Sequence, residues 1–244
     1  MQDDVFFDQL ADRFSDKIYG STKGRLRLAV QQDAISQLPS FSSQAWRVLE
    51  IGGGLGHLSE WLAQNGHQVL MTEPSEKMVA AAKQRLQLTS VDVQQASYQS
   101  LSVEQHGQFE MVTVCAVLEW LADPQAALKR AYELTAPGGY LVVMAYNRDA
   151  QRMTRFLNGT GVQSLLDRPG NGRCMMPTTL FSASDLRGWL EALGGNVIDW
   201  RGIRCINDWI PDLPFEEILQ IETAINQEEP WRSLARYQHI IVRK

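Results

Sequence analysis

The 244-residue chain has 44% hydrophobic and 21% charged residues, the composition of a folded globular protein rather than a disordered one. Its net charge of −5, from 23 basic and 28 acidic residues, argues against a polybasic mode of nucleic-acid binding. The longest apolar stretch, 140–146, is too short to cross a bilayer, and the N-terminus is acidic where a secretion signal is basic. Three widely separated cysteines predict neither a disulfide framework nor a metal site. We therefore expect a cytoplasmic protein.

Short β-branched runs alternate with amphipathic stretches up to residue 146, the pattern of a mostly parallel sheet with helices on both faces. Two helices, at about 5–14 and 22–38, are predicted before the first strand and form an N-terminal cap. Asp123 is the predicted N-cap of a later helix that has Pro124 at its first position and ends before Pro137-Gly138-Gly139. The predicted strands are 46–51, 67–73, 91–95, 109–115 and 139–146, and the intervening helices are 55–65, 75–88 and 123–135.

The alternation stops after the fifth strand. Residues 147–180 are rich in Gly, Arg, Asn and Pro without a sustained period, and a loop of that length indicates a lid or a binding surface. A helix is then predicted near 184–193, a strand at 196–205, a helix at 214–229 and a final strand at 234–244. We expect one domain over 1–244, comprising a helical cap (1–40), a ligand-binding core (41–146), a lid or insertion (147–182) and the C-terminal part of the sheet (183–244).

The most informative segment is VLEIGGGLG, in which a buried strand ends in Gly52, Gly53, Gly54 and Gly56 before a helix. Glycine allows backbone to approach a ligand closely, and the helix start offers free N–H groups and a positive dipole end. Dinucleotide dehydrogenases use GxGxxG, but His57 occupies the third glycine position here. The spacing instead resembles the first motif of class I S-adenosylmethionine (SAM) methyltransferases.

Other candidate binding residues stand at the ends of predicted strands. Glu73 ends the second strand, where a carboxylate can accept two hydrogen bonds from a ribose diol of either NAD or SAM. Glu50 precedes the glycines and is placed to face a ligand ammonium group. Tyr98 and Gln99 follow the third strand, in position to meet an adenine. Cys115 ends the fourth strand at the switch point of the sheet, but no histidine base accompanies it, so a nucleophilic role is not predicted.

The segments IYGSTKGRLR, EIGGGLGHL, AVLEWLADP, APGGYLVVMAYN and EEPWRSLARYQHI resemble the family of bacterial tRNA 5-carboxymethoxyuridine methyltransferases. The resemblance spans nearly the whole chain. It implies a class I methyltransferase fold, a Rossmann-like and mostly parallel seven-stranded sheet, with SAM as cofactor and tRNA as partner. It further implies methyl transfer to the carboxylate of 5-carboxymethoxyuridine at the wobble position. Oligomeric state is left open.

The resemblance also assigns roles residue by residue. Cys115 stands where this family has a histidine, and scattered arginines replace a lysine-rich run in the insertion. These departures bear on substrate detail and leave the cofactor assignment in place. The matched cofactor residues are Arg27 for the SAM carboxylate, Gly52 and Gly53 for the loop, Glu73 for the ribose, and Tyr98 and Gln99 for the adenine.

A carboxylate acceptor is already anionic at pH 7, so no general base is required and no catalytic acid–base residue is predicted. A cation must still recognise it, and the windows 12–27 and 147–173, each with five basic and two acidic residues, supply candidates. Aromatic side chains can hold an unstacked base. The candidates are Lys23, Arg25, Arg148, Arg152 and Arg204 for the carboxylate, and Tyr19, Trp120 and Tyr146 for the base.

Three other functions remain open from sequence alone. A SAM methyltransferase with a small-molecule acceptor would share every cofactor residue. An NAD-dependent oxidoreductase is disfavoured by His57. A non-catalytic module that retains the fold is compatible with the departure at Cys115.

Overall fold

In the computed structural model, which describes residues 4, 20–159, 161–162, 177–210 and 212–244, seven strands form a single sheet. Their order is β3-β2-β1-β4-β5-β7-β6, and β7 alone runs antiparallel to both of its neighbours. The mostly parallel seven-stranded sheet predicted from the sequence is confirmed. The strands are β1 (Arg47–Ile51), β2 (Gln68–Glu73), β3 (Asp92–Gln95), β4 (Phe109–Cys115), β5 (Thr135–Tyr146), β6 (Asn196–Ile203) and β7 (Tyr237–Arg243).

Helices cover both faces of this sheet. One face is covered by α5 and α7, whose apolar side chains form one core with Leu49, Val112 and Val143. The other is covered by α1 and α2, which bury Val48 and Met111. The helices are α1 (Thr22–Ser36), α2 (His57–Gln64), α3 (Glu76–Arg85), α4 (Val103–His106), α5 (Pro124–Leu134), α6 (Arg148–Leu157), α7 (Ala183–Ala192), α8 (Phe215–Ile225) and α9 (Trp231–Leu234).

Local signals set several helix ends as predicted. The Asp123 side chain accepts a hydrogen bond from the Ala126 N–H at 2.9 Å, and Pro124 is the first residue of α5. Ser182 caps α7 in a reciprocal capping box with Asp185. The sequence therefore located the start of α5 through its capping residue, whereas the cap of α7 was not predicted and that helix begins at Ala183, close to the predicted 184.

Two predictions about the region after α5 are wrong. The fifth strand begins at Thr135 rather than 139, so Pro137-Gly138-Gly139 lies inside β5. The pairing of β5 with β4 shifts in register between Phe109 and Met111 of β4, and this shift accommodates the three residues. Residues Arg148–Leu157, predicted to be irregular, form helix α6. Asn147 caps this helix by accepting a hydrogen bond from the Asp149 N–H at 3.1 Å.

The first helix, α1, packs against the sheet along its length. Leu26 and Ile35 are fully buried, so one face of the predicted 22–38 helix belongs to the protein core. The other predicted cap helix, 5–14, and residues 163–176 of the predicted insertion lie outside the described residues. Within the described ranges, no helix combines the length and apolar character needed to cross a membrane.

Candidate functional site: a cofactor crevice and an adjoining cationic cluster

In the turn after β1, the backbone lies very close to side chains from other parts of the chain. Gly52, Gly54 and Gly56 all have positive φ, at 70°, 58° and 77°. A Cβ on Gly52 would lie 2.5 Å from Cγ2 of Val117, and a Cβ on Gly53 would lie 2.6 Å from Cγ of Met71. Glycine is therefore required at Gly52 for two independent reasons, backbone conformation and space.

A crevice of about 880 Å³, counting the part that is open to solvent, lies beside this turn at the carboxyl ends of β1, β2 and β4. Trp120 and Met144 also form part of its wall. Of the residues predicted from the sequence to bind the cofactor, those that line this crevice are Arg27, Gly52, Gly53, Gly54, Glu73 and Cys115.

The remaining three predicted residues do not line it. Gly56 starts α2, and a Cβ there would lie 2.6 Å from Cδ1 of Leu86, so this glycine serves packing between helices. The Tyr98 hydroxyl donates to the Asp123 carbonyl oxygen at 3.4 Å, and the Gln99 amide donates to Asp4 at 2.8 Å. Both side chains follow β3, as the adenine assignment requires, but their observed contacts are with other protein groups.

Glu73 is held by backbone on both sides. One carboxylate oxygen accepts from the Gly54 N–H and the other from the Ser75 N–H, each at 3.0 Å. These contacts fix the orientation of the carboxylate at the crevice wall. A carboxylate has about four lone-pair sites, so a group oriented in this way is a suitable acceptor for a vicinal diol.

Glu50 and Arg27 supply the charged groups of the crevice. Burial raises the pKa of Glu50 to about 7, while hydrogen bonds from Ser59 oppose the rise. A cationic ligand group beside this carboxyl would favour its ionised form. Arg27 extends from α1 into the crevice with only 8% of its surface exposed.

Cys115 ends β4 in the crevice wall. Burial, reinforced by Glu50, raises the pKa of its thiol far above the ordinary range. The thiol is therefore neutral, and it contributes shape rather than nucleophilic chemistry.

The donor set fits SAM. Arg27 would hold the carboxylate of its amino-acid end and Glu50 the ammonium group, while Glu73 would accept hydrogen bonds from the ribose diol. When bound, this cofactor supplies an electrophilic methyl group.

A cluster of cations around one carboxylate adjoins the crevice. Asp208 accepts from Lys23 at 3.1 Å, from Arg204, and from Nε of Arg236 at 2.7 Å. Burial alone would raise the pKa of Asp208, but Arg204 and Arg236 bring this pKa down to about 2. Three cations thus share one carboxylate, and the excess positive charge suits an anionic ligand. We call Lys23, Arg204, Asp208 and Arg236 the Asp208 cluster.

Aromatic rings connect the Asp208 cluster to the crevice. The guanidinium carbons of Arg27 and Arg204 each lie 5.8 Å from the centre of the Tyr237 ring. Tyr237 packs edge-on against Tyr146, whose hydroxyl accepts from Arg236 at 2.5 Å. The cluster therefore lies one aromatic ring away from the arginine that lines the crevice.

Asp208, Arg236 and Tyr237 were not identified as site residues from the sequence. They stand more than 150 residues from the glycine turn, and nothing in their spacing relates them to it. The antiparallel β5–β7 pairing, which aligns Tyr146 with Tyr237, brings them there. The available signals were two stretches that also belong to the family resemblance, GIRCINDWI, which contains Asp208, and RYQHI, which begins with Arg236.

The other predicted cations are engaged elsewhere. Arg148 pairs with Asp185 at 3.4 Å, and Arg152 pairs with Asp149 at 3.3 Å. The Arg25 guanidinium lies 3.8 Å above the Phe215 ring. Lys23 and Arg204 are therefore the two predicted acceptor cations that the structure brings together. Tyr19 lies outside the described residues.

Glu119 is a second buried acid behind the crevice, in the AVLEW segment. Burial raises its pKa to about 7, with Arg27 and backbone N–H groups opposing the rise. Its carbonyl oxygen accepts from the N–H groups of Thr178 and Thr179 at 3.0 Å. Glu119 thus joins the segment after β4 to the residues that precede α7.

Comparisons with known proteins agree with this geometry. A family model described as a methyltransferase domain matches residues 12–199. The tRNA 5-carboxymethoxyuridine methyltransferase of Escherichia coli (strain K12) is 32% identical over 98% of this chain and 95% of its own length. A ubiquinone biosynthesis O-methyltransferase of Pseudomonas aeruginosa is 36% identical over only 42% of this chain and 45% of its own.

Solved structures show the same fold. Magnesium protoporphyrin IX methyltransferase from Synechocystis PCC 6803 with bound SAH superposes with a TM-score of 0.66, at 16% identity over 98% of this chain and 95% of its own. A SAM-dependent methyltransferase from Thermotoga maritima gives a TM-score of 0.63 at 18% identity, covering 98% and 97%. With the donor set of the crevice, these matches establish that the chain belongs to the methyltransferase-domain family and is a class I SAM-dependent methyltransferase.

Proposed function

We propose that the enzyme methylates the carboxylate of 5-carboxymethoxyuridine at the wobble position of tRNA, forming the methyl ester. The observation that carries this proposal is the 32% identity to the Escherichia coli tRNA 5-carboxymethoxyuridine methyltransferase over nearly the whole of both chains. A shared cofactor domain alone would give a shorter match, as the ubiquinone relative does. The longer match also includes the C-terminal third, which supplies Arg204, Asp208 and Arg236 of the Asp208 cluster.

The Asp208 cluster is suited to hold the acceptor carboxylate. Arg204 and Arg236 offer planar guanidinium groups that match a carboxylate in geometry and charge. The acceptor is anionic at neutral pH, so the protein has to align it and exclude water rather than remove a proton. The neutral thiol of Cys115 agrees with this requirement, because no base is needed beside the reacting oxygen.

Aromatic side chains near the crevice are suited to bind the nucleoside base, and basic side chains are suited to bind the RNA phosphates. Trp120 lines the crevice and Tyr146 closes one side of the Asp208 cluster, so either ring can stack on an unpaired base. Contacts to tRNA phosphates then come from a confined basic surface, since the whole chain carries −5. We expect moderate tRNA affinity that falls steeply with salt, and a cytoplasmic enzyme.

The direct test measures methyl transfer from labelled SAM to two tRNA preparations. One carries 5-carboxymethoxyuridine, and the other carries 5-methoxyuridine, which lacks the carboxylate. We expect labelled methyl ester only on the first. Labelling of both to the same extent, or of neither, would refute the assignment; turnover of a small carboxylic acid instead would establish the small-molecule alternative.

A paired substitution tests the acceptor site. Arg204→Gln removes one guanidinium of the Asp208 cluster and is expected to raise KM for the modified tRNA at least ~10-fold, since a charge-assisted contact contributes about 1.5–3 kcal/mol. The dissociation constant for SAM should stay within twofold. Arg130→Gln, which removes a surface ion pair with Glu133, is the matched control. An unchanged KM in Arg204→Gln would place the carboxylate elsewhere.

A further inference from the structure

Gln31 is a buried polar residue of the crevice that the cofactor motifs do not include. It lies on α1 four residues after Arg27, so the two side chains project from the same face of the helix. Both line the crevice, and Gln31 is only 4% exposed. The crevice wall thus carries an amide one turn away from the guanidinium.

The orientation of this amide is set by a single hydrogen bond. Nε2 of Gln31 donates to the carbonyl oxygen of Arg27 at 3.1 Å. Oε1 is therefore turned away from the backbone of α1. It is fully buried and has no hydrogen-bond partner among the described residues. A buried acceptor left unpaired destabilises the free protein, and a ligand donor can recover that loss.

The surroundings identify the donor. Arg27, a cation, and Glu50, an acid, line the same crevice as Gln31, and both lie close enough to Cys115 to affect the pKa of its thiol. The crevice wall thus presents a positive group together with the oxygen acceptors of Glu50 and Gln31. A zwitterionic α-amino acid, with one carboxylate and one ammonium group carrying three N–H donors, has the complementary charges. An adenine or a ribose offers no cationic donor to this pair of acceptors.

We propose that Oε1 of Gln31 accepts a hydrogen bond from the α-ammonium group of the methionine portion of SAM, alongside the Glu50 carboxylate. Gln31 is thereby a cofactor-binding residue of this enzyme. The amide also ties ammonium recognition to carboxylate recognition, because its other end is bonded to the backbone of Arg27. This inference depends on the cofactor crevice and is independent of the tRNA acceptor.

Calorimetry with two ligands tests the assignment. One ligand is S-adenosylhomocysteine, and the other is its analogue that lacks only the α-amino group. Gln31→Met keeps the side-chain length and removes the acceptor. We expect it to weaken S-adenosylhomocysteine binding by about 10- to 100-fold, the range for hydrogen bonds to charged groups, and to change binding of the deaminated analogue less than twofold.

The second ligand separates this role from an indirect one. If Gln31 only positioned Arg27, the substitution would weaken both ligands equally, because both keep the carboxylate; that result overturns the proposal, as does unchanged binding of both. Gln32→Met, the same change on a residue that does not line the crevice, is the matched control and should leave both affinities unaltered. Unfolding by urea checks stability, which we expect to be kept or improved because a buried unpaired acceptor is removed.

Discussion

The most direct physical test of the crevice is the substitution Glu50→Gln in the cofactor-free protein. Burial raises the pKa of Glu50 from 4.5 to about 7. The folded protein therefore retains a proton between these pH values that the unfolded chain has released, and the free energy of unfolding falls as pH rises from 4.5 through 7. The difference between the two pKa values corresponds to about 3 kcal/mol.

Glutamine removes this dependence while it preserves most of the packing. Its amide oxygen can still accept the hydrogen bond from Ser59, so weakening of this hydrogen bond lowers the free energy of unfolding by at most about 1 kcal/mol. We expect Glu50→Gln to be about 2–3 kcal/mol more stable than the wild type at pH 8 and no more stable at pH 4.5. The same variant should bind SAM at least ~10-fold more weakly, because it loses the charged partner of the ammonium group.

Urea unfolding at pH 4.5, 6 and 8 measures this effect. Glu119, whose pKa is also raised to about 7, contributes the same trend in both proteins and cancels in the difference. The exposed Glu228→Gln is the control and should not alter the pH dependence. A stability difference between wild type and Glu50→Gln that is the same at pH 4.5 and pH 8 would refute the reasoning.

Four further predictions concern the same site. Glu73→Ala removes the diol acceptor and the partner of the Gly54 N–H, and calorimetry should show SAM binding at least ~10-fold weaker. Arg27→Ala should weaken S-adenosylhomocysteine but leave its decarboxylated analogue within twofold; equal losses would argue against a carboxylate contact. Gly52→Ala should cost at least about 1–2 kcal/mol in urea unfolding for its positive φ, and adding Val117→Ala should restore only the steric part. Asp208→Asn should raise KM for modified tRNA without changing the dissociation constant for SAM, since it loosens Arg204 and Arg236 together.

Residues whose partners are close in sequence were predictable, and residues placed by distant contacts were not. The Asp123 cap was predictable because it acts on backbone only three residues away, and the glycine turn and the Glu73 strand end were predictable from motif spacing. Helix α6 begins at a local signal, the Asn147 cap, and its polar and apolar residues separate onto two faces. It was missed because it is short, mostly polar and followed by a Gly-rich stretch. It is held by Asn147, which donates to the Ser233 and Ala235 carbonyl oxygens, and by the contact between Thr154 and Arg236.

The candidate site divides in the same way. The side of the crevice built from β1, β2 and β4 followed from motif spacing, because parallel strands end at one edge of a sheet. Gln31 could not be recognised, since a glutamine in a helix carries no sign of which face is buried or which of its atoms lacks a partner. Tyr98 and Gln99 were placed after β3 correctly, but only the structure shows that they contact Asp123 and Asp4.

The way Asp208 ties its three cations together has a consequence for how this enzyme can diverge. Lys23 comes from the first helix, whereas Arg204 and Arg236 flank the last two strands, so one carboxylate joins both ends of the chain. The donor crevice, apart from α1, is built between Glu50 and Met144. A related enzyme could therefore acquire a different methyl acceptor through substitutions in the last forty or so residues, while its SAM crevice stays unchanged.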